Sequence, residues 1–124
     1  MTRRVAVTGL GAVTPIGNDA RAAWGAAVGA QSGIDFIRSF DASGFPVRIA
    51  GEVKDFDPSG IASPKEVRKL ERNVLFALAA AREAVADAGL DGVYEPARVG
   101  ILLQNLRAAD IRRHQIRREL NPGK

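Results

Sequence analysis

Four basic residues near the middle of the chain could bind an acidic partner. They are Lys65, Arg68, Lys69 and Arg72. Residues three, four or seven positions apart share one face of a continuous helix, so these side chains are predicted to form a single basic stripe. Such a stripe could attract an acidic protein surface by charge and hold it by hydrogen bonds. It could equally be a solvated face that also carries Glu66 and Glu71, and the spacing alone leaves both interpretations open.

A second candidate is the glycine-rich segment from Gly9 to Thr14, which is similar to a loop that binds the pyrophosphate of a dinucleotide. That fingerprint needs a third glycine where Thr14 stands, followed at once by a helix. Pro15 follows instead, and no helix is predicted before residue 19. A phosphate would lack the helix N-terminus that normally binds it. We therefore interpret the segment as a tight glycine loop.

Residues that commonly carry catalysis are scarce in this sequence. There is no cysteine and one histidine, His114, so these residues provide no disulfide, thiolate metal site or Cys–His pair. Asp55 and Asp57 lie near Pro58, where a turn is the simplest explanation. We predict no catalytic residue and no metal site, and we expect no cofactor.

Length and composition suit one globular domain, with 124 residues, 46% of them hydrophobic and 26% charged. No apolar run is long enough to cross a bilayer, so no membrane association is expected. Glycines and a proline interrupt the apolar stretch near the N-terminus, and no convincing signal-peptide cleavage site follows. We expect a cytoplasmic location.

The excess positive charge is confined to residues 105–124. The net charge is +4, and this segment alone carries six Lys/Arg against two Asp/Glu. A basic tail of this kind could bind nucleic acid or anionic lipid, which makes a nucleic-acid binder one alternative hypothesis. Residues 105–124 contain no Phe, Trp or Tyr on which bases could stack, which argues against nucleic-acid binding.

Apolar patterning predicts the order strand, helix, strand, long helix, strand. The predicted elements are a strand within residues 4–13, a helix over Ala20–Val28 capped by Asn18 or Asp19, an irregular stretch at 33–46, a strand at 47–53, a helix from about 64 to 88, a strand at 98–103 and a helical tail after 105. This order indicates an α/β layered fold.

The long helix has the clearest boundaries. Ser63, Pro64 and Glu66 form a capping box with proline at the first helical position, and Gly89 is the expected C-terminal cap. Apolar residues at three- and four-residue steps are predicted to share its buried face. They are Val67, Leu70, Val74, Leu78, Ala81 and Val85.

Several segments of the chain together form a recognisable family pattern. Residues 3–17 have the sequence RRVAVTGLGAVTPIG, and Trp24, the QSGI at 31–34 and Phe40 follow. The run LFALAAAREAVADAG at 75–89 and the RVGILL at 98–103 come next. In sequence and spacing, these segments resemble the start of the β-ketoacyl-acyl-carrier-protein synthases of the type II elongating kind, and the resemblance covers residues 2–103.

The resemblance implies the start of a thiolase-like fold, in which a mixed sheet carries helices on its faces, and a homodimer in the full-length family. It implies decarboxylative Claisen condensation of acyl and malonyl thioesters in fatty-acid or polyketide biosynthesis. The family uses one cysteine and two histidines for this reaction, beyond the part that this chain matches. We therefore expect this chain to be inactive by itself.

The resemblance also gives the basic stripe a partner, because the family docks acyl carrier protein on basic residues at the start of the corresponding helix. Lys65, Arg68 and Lys69 match that patch, and Arg72 is added from helical spacing. The alternative hypothesis is a non-catalytic module that docks acyl carrier protein or pairs with a full-length synthase.

The family pattern is lost at Gln104, where a glycine-rich turn is expected and a different sequence stands. We predict two parts: residues 1–104, an N-terminal portion of a synthase domain, and residues 105–124, a basic and helical tail unlike the family. A frameshift, a premature stop or a misassembled gene would explain such a tail.

Overall fold

The computed structural model describes residues 4–90 and 92–100. Its elements within those ranges are the helix α1 (Ala20–Val28), the strands β1 (Ile34–Phe36) and β2 (Ile49–Gly51), the helices α2 (Pro64–Val67) and α3 (Arg72–Asp87), and a short 3-10 helix at Pro96–Arg98. The predicted tail helix and the end of the predicted strand at 98–103 lie outside the described residues.

Helix α1 confirms the prediction at both ends. Asp19 is the N-cap, and its Oδ1 accepts a hydrogen bond from the Ala22 N–H at 2.6 Å. Gly29 ends the helix and donates its N–H to the Gly25 carbonyl at 2.9 Å. Alanines, with their high helix propensity, fill most of the turns between these caps.

The sheet is a small antiparallel pair rather than a mixed layer. Asp35 of β1 pairs with Ala50 of β2, and the Ile37 N–H extends the pairing to the Arg48 carbonyl at 2.9 Å. The predicted strand at 47–53 is confirmed over its centre, whereas β1 lies in a stretch that was predicted to be irregular. Pro15 packs beside this hairpin, next to Gly33 and Gly51.

Two predicted strands are wrong for the described residues. Residues 4–13 form no strand, and the side chains of Val5 and Val7 are 94% and 79% exposed. Residues 98–100 are also outside any strand, with Val99 53% exposed. A strand exists only through backbone hydrogen bonds to a neighbouring strand, and no other strand in the described chain pairs with these segments.

The predicted long helix is two helices. The capping box starts α2 as expected, because the Ser63 N–H donates to the Glu66 carboxylate at 2.9 Å while Ser63 Oγ accepts from the Glu66 N–H. The helix then stops, and Glu71 adopts an extended conformation (φ −67°, ψ 151°) as the N-cap of α3. Asn73 also bonds its side chain to the Val74 N–H at 2.9 Å, a local contact that competes with helical pairing.

Helix α3 provides the three largest buried residues of the core. Six hydrophobic residues are buried among those described: Ala26, Ala42, Ala62, Val74, Leu75 and Leu78. Leu70 packs against Val74 and Leu78, as the predicted apolar face requires, and Ile61, which lies outside that face, packs there as well. The break before α3 does not interrupt that face, since Leu70 still reaches the core.

The end of α3 confirms the role predicted for Gly89. Its φ of +61° is the left-handed conformation that glycine adopts without strain. The Leu90 N–H donates to the Val85 carbonyl at 3.2 Å and the Gly89 N–H to the Ala86 carbonyl at 3.1 Å, which is a Schellman motif. Across the described ranges, none of the helices has the length and apolar character needed to span a bilayer.

Candidate docking surface

Three of the four predicted docking residues lie on or directly after α2. Lys65 is in its first turn, and Arg68 and Lys69 follow its last residue; all three are exposed. We call these three residues the docking patch. Within residues 4–90 and 92–100, the ammonium groups of Lys65 and Lys69 make no hydrogen bond or ion pair. Arg68 donates its Nε–H to the Pro64 carbonyl at 3.1 Å, which holds the side chain along α2.

Arg72 is separated from the docking patch by the break between the helices. It is the first residue of α3, so the four cations do not form one stripe on one continuous helix as predicted. Its Nη2 donates to the Val53 carbonyl at 2.7 Å, and its guanidinium lies 5.4 Å from the centroid of the Phe76 ring. Phe76 packs edge to face against Phe56, with the ring centroids 4.8 Å apart.

Two acidic side chains near this surface are already engaged, whereas Glu71, at the break, is exposed and makes no side-chain cap hydrogen bond. The Glu66 carboxylate belongs to the capping box. Glu52 accepts the Arg38 N–H at 2.8 Å and the Ser39 hydroxyl. The hydrogen bond from the Ser39 hydroxyl is the main cause that lowers the pKa of Glu52, and the charge of Arg72 acts in the same direction. Glu52 therefore stays ionised near neutral pH and ties Arg38 and Ser39, which follow β1, to the end of β2.

The glycine-rich segment from Gly9 to Thr14 packs against α3 and does not have the form of a phosphate-binding loop. Gly9 and Gly11 lie directly on α3, where an added Cβ would collide with the backbone carbonyls of Ala84 and Ala80. The alanines of α3 supply the matching smooth surface. Glycine is needed at both positions because any side chain would push the segment away from the helix.

Two acidic residues of α3 hold the same segment, and sequence analysis missed them. Glu83 accepts the Ala12 N–H through Oε2 and the Ala20 N–H through Oε1, both at 2.8 Å. Asp87 accepts the Leu10 N–H at 2.9 Å. Their four-residue spacing in the sequence shows that they share a helix face, but only the fold brings backbone donors to that face.

The described residues contain no catalytic constellation. No group of three or more His, Cys, Asp or Glu side chains within them could hold a metal ion. Asp57 makes the predicted turn by accepting the Ser59 N–H at 2.9 Å, which is the main cause that lowers the pKa of Asp57. His114 lies outside the described residues.

Comparisons with known proteins converge on one group of enzymes. A family model described as "Beta-ketoacyl synthase, N-terminal domain" matches residues 2–104. The 3-oxoacyl-[acyl-carrier-protein] synthase 2 of Coxiella burnetii is 47% identical over 89 residues, 72% of this chain and 22% of that protein. The enzyme of the same name from Vibrio harveyi is 43% identical over 102 residues, 82% of this chain and 25% of that protein.

A relative from polyketide biosynthesis is similarly close. The granaticin polyketide putative beta-ketoacyl synthase 1 of Streptomyces violaceoruber is 44% identical over 105 residues, 83% of this chain and 25% of that protein. The chain thus spans about a quarter of the length of the curated relatives it matches.

Proposed function

The chain belongs to the β-ketoacyl synthase family, and from that membership we propose that it is the N-terminal part of a 3-oxoacyl-[acyl-carrier-protein] synthase. The reaction is a decarboxylative Claisen condensation in fatty-acid or polyketide biosynthesis. An enzyme thiolate attacks the acyl thioester and releases the carrier thiol. The malonyl thioester then loses carbon dioxide, and the resulting carbanion attacks the acyl-enzyme carbonyl and expels the thiolate.

The 124 residues cannot provide the nucleophile of that reaction because they contain no cysteine. We therefore propose that this chain alone is inactive, and that its contribution is structural and recognitional. Purified chain incubated with acyl and malonyl carrier protein should form no 3-oxoacyl product. Turnover above a protein-free blank would contradict this proposal.

The recognition we propose is of acyl carrier protein, and the exposed docking patch is the observation that carries it. Lys65, Arg68 and Lys69 present three cations together, and the first and last have no partner among the described residues. The printed names of the relatives include acyl carrier protein. These three cations would speed the association of an acidic protein surface with the chain and make that association more specific. Pairing with a full-length synthase is the second proposal for the same chain.

Fluorescence anisotropy of labelled acyl carrier protein titrated with the chain tests the docking proposal. Lys65→Glu and Arg68→Glu should each weaken binding roughly tenfold at low salt. Arg21→Glu makes the same charge change on exposed α1 and serves as the matched control. Equal effects of all three variants, or binding that does not weaken with added salt, would refute docking at this patch.

Two further parts of the interpretation are proposals of the same kind. We propose that residues 105–124 are a basic extension distinct from the synthase part, because all of the excess charge lies there. We also propose a cytoplasmic location.

A further inference from the structure

Arg72 differs from the docking patch in what surrounds its guanidinium. Its N–H reaches the Val53 carbonyl, two residues after β2, and its plane lies near the Phe76 ring. One side chain therefore joins the first turn of α3 to the chain that leaves the hairpin. The ammonium groups of Lys65 and Lys69, by contrast, make no polar contact in the part of the chain that the structure describes.

The charge of Arg72 also acts on a carboxylate of the chain itself. Glu52 feels that charge, and the same carboxylate holds the Arg38 N–H and the Ser39 hydroxyl of the hairpin. Among the described residues, no carboxylate forms an ion pair with Arg72, Lys65 or Lys69, so the hydrogen bond to Val53 and the contact with Phe76 are what distinguish Arg72.

The position of Arg72 explains how it could influence docking without touching a partner. It follows directly on the break at residues 68–71, which carries Arg68 and Lys69. The hydrogen bond from Arg72 to Val53 holds the start of α3 and thereby restricts movement of residues 68–71. The orientation of the docking patch therefore depends on this hydrogen bond.

We infer that Arg72 is a positioning residue, which holds the break between α2 and α3 so that Lys65, Arg68 and Lys69 face an acidic partner together, and that it does not contact the partner itself. This inference rests on the proposed docking function and says which cations recognise the carrier protein. Instead of one stripe of four docking residues, the inference has three residues that contact the partner, the docking patch, and one, Arg72, that positions them.

This positioning role requires arginine in particular. A guanidinium can donate to a carbonyl while its flat face stays near an aromatic ring, whereas a lysine ammonium is a compact, strongly hydrated charge. Arg72→Lys keeps the positive charge and loses that geometry. If Arg72 contacted the partner only through its charge, binding would survive this substitution. If Arg72 positions the docking patch, binding should weaken.

The test measures the dissociation constant for labelled acyl carrier protein at several NaCl concentrations, with the full 124-residue chain. Arg72→Lys should weaken binding about three- to tenfold with an unchanged salt dependence, since no contacting charge is lost. Lys69→Ala should weaken binding and flatten the salt dependence. Phe76→Leu should act like Arg72→Lys, and the two changes together should be less than additive because they remove one interaction.

Hydrogen exchange separates positioning from a general loss of stability. With Arg72→Lys, exchange of the Lys69 and Leu70 amides should rise while that of Leu78, in the core, stays unchanged. Parent-like binding by Arg72→Lys, together with a flattened salt dependence for Arg72→Ala, would overturn the inference and leave docking intact. No saturable binding by the parent chain would overturn the proposed docking function, and the inference with it.

Discussion

Glu83 should be the residue whose loss most weakens the contact between α3 and the N-terminal segment. Its carboxylate accepts two backbone N–H groups, those of Ala12 and Ala20, each at 2.8 Å. The Ala20 N–H is one of the N–H groups at the start of α1 that have no partner within the helix. A negative charge is favourable at that end of a helix. One half-buried side chain thus fastens the glycine segment and α1 to α3.

The magnitude follows from these two charge-assisted hydrogen bonds. A hydrogen bond to a charged group contributes about 1.5–3 kcal/mol, and partial solvent access places each of these near the lower end. Glu83→Ala should therefore cost about 2–3 kcal/mol. Since 1.36 kcal/mol is a factor of ten, opening of the segment should become roughly 30- to 150-fold more frequent.

Amide hydrogen exchange followed by NMR reads this opening directly. Exchange at Ala12 and Ala20 should accelerate by that factor in Glu83→Ala, and by a smaller factor in Glu83→Gln, which keeps one acceptor. Glu95→Ala is the matched control, because the side chain of Glu95 is exposed. Equal exchange at Ala12 and Ala20 in the Glu83 and Glu95 variants would refute the reasoning.

Three other predictions concern stability and association. Gly11→Ala should destabilise the chain by about 2 kcal/mol or more in urea unfolding, through collision with α3, whereas Gly44→Ala, with open space around it, should be near neutral. The folded-state pKa of Glu52 lies below its ordinary value, so its contribution is present above that value and is lost as the pH falls through the folded pKa. NMR should therefore show the Arg38 amide losing protection only in acid, and Glu52→Gln should remove this dependence. The exposure of Val5 and Val7 predicts self-association or loose order, and a sharp melt of a monodisperse monomer would contradict it.

The predicted helix caps at Asp19, Ser63 and Gly89 are confirmed. The Asp19 cap, the Ser63–Glu66 capping box and the left-handed Gly89 depend on hydrogen bonds within one turn, and each is present. The prediction of one continuous long helix failed at Glu71, and the two failed strand predictions needed distant neighbours. Residues 4–13 have the composition of an interior strand, yet no described part of the chain pairs with them.

The docking residues divide in the same way. Helical spacing placed Lys65, Arg68 and Lys69 close together, which the structure retains on and after α2. It also placed Arg72 with them, because periodicity assumes that a helix continues. The break at Glu71 ends that assumption, and the contact between Arg72 and Val53 joins residues far apart in sequence.

The sequence by itself determined the family, the caps at Asp19, Ser63 and Gly89, and the absence of a cysteine nucleophile from these residues, since these depend on residue identity and short spacings. Only the tertiary structure decided that Gly9 and Gly11 pack on α3, that Glu83 and Asp87 hold the segment around them, and that Arg72 bonds to the Val53 carbonyl. Each of these contacts joins atoms from remote parts of the chain. Their interaction energy depends on the distance between those atoms in the fold, which the amino-acid composition does not give.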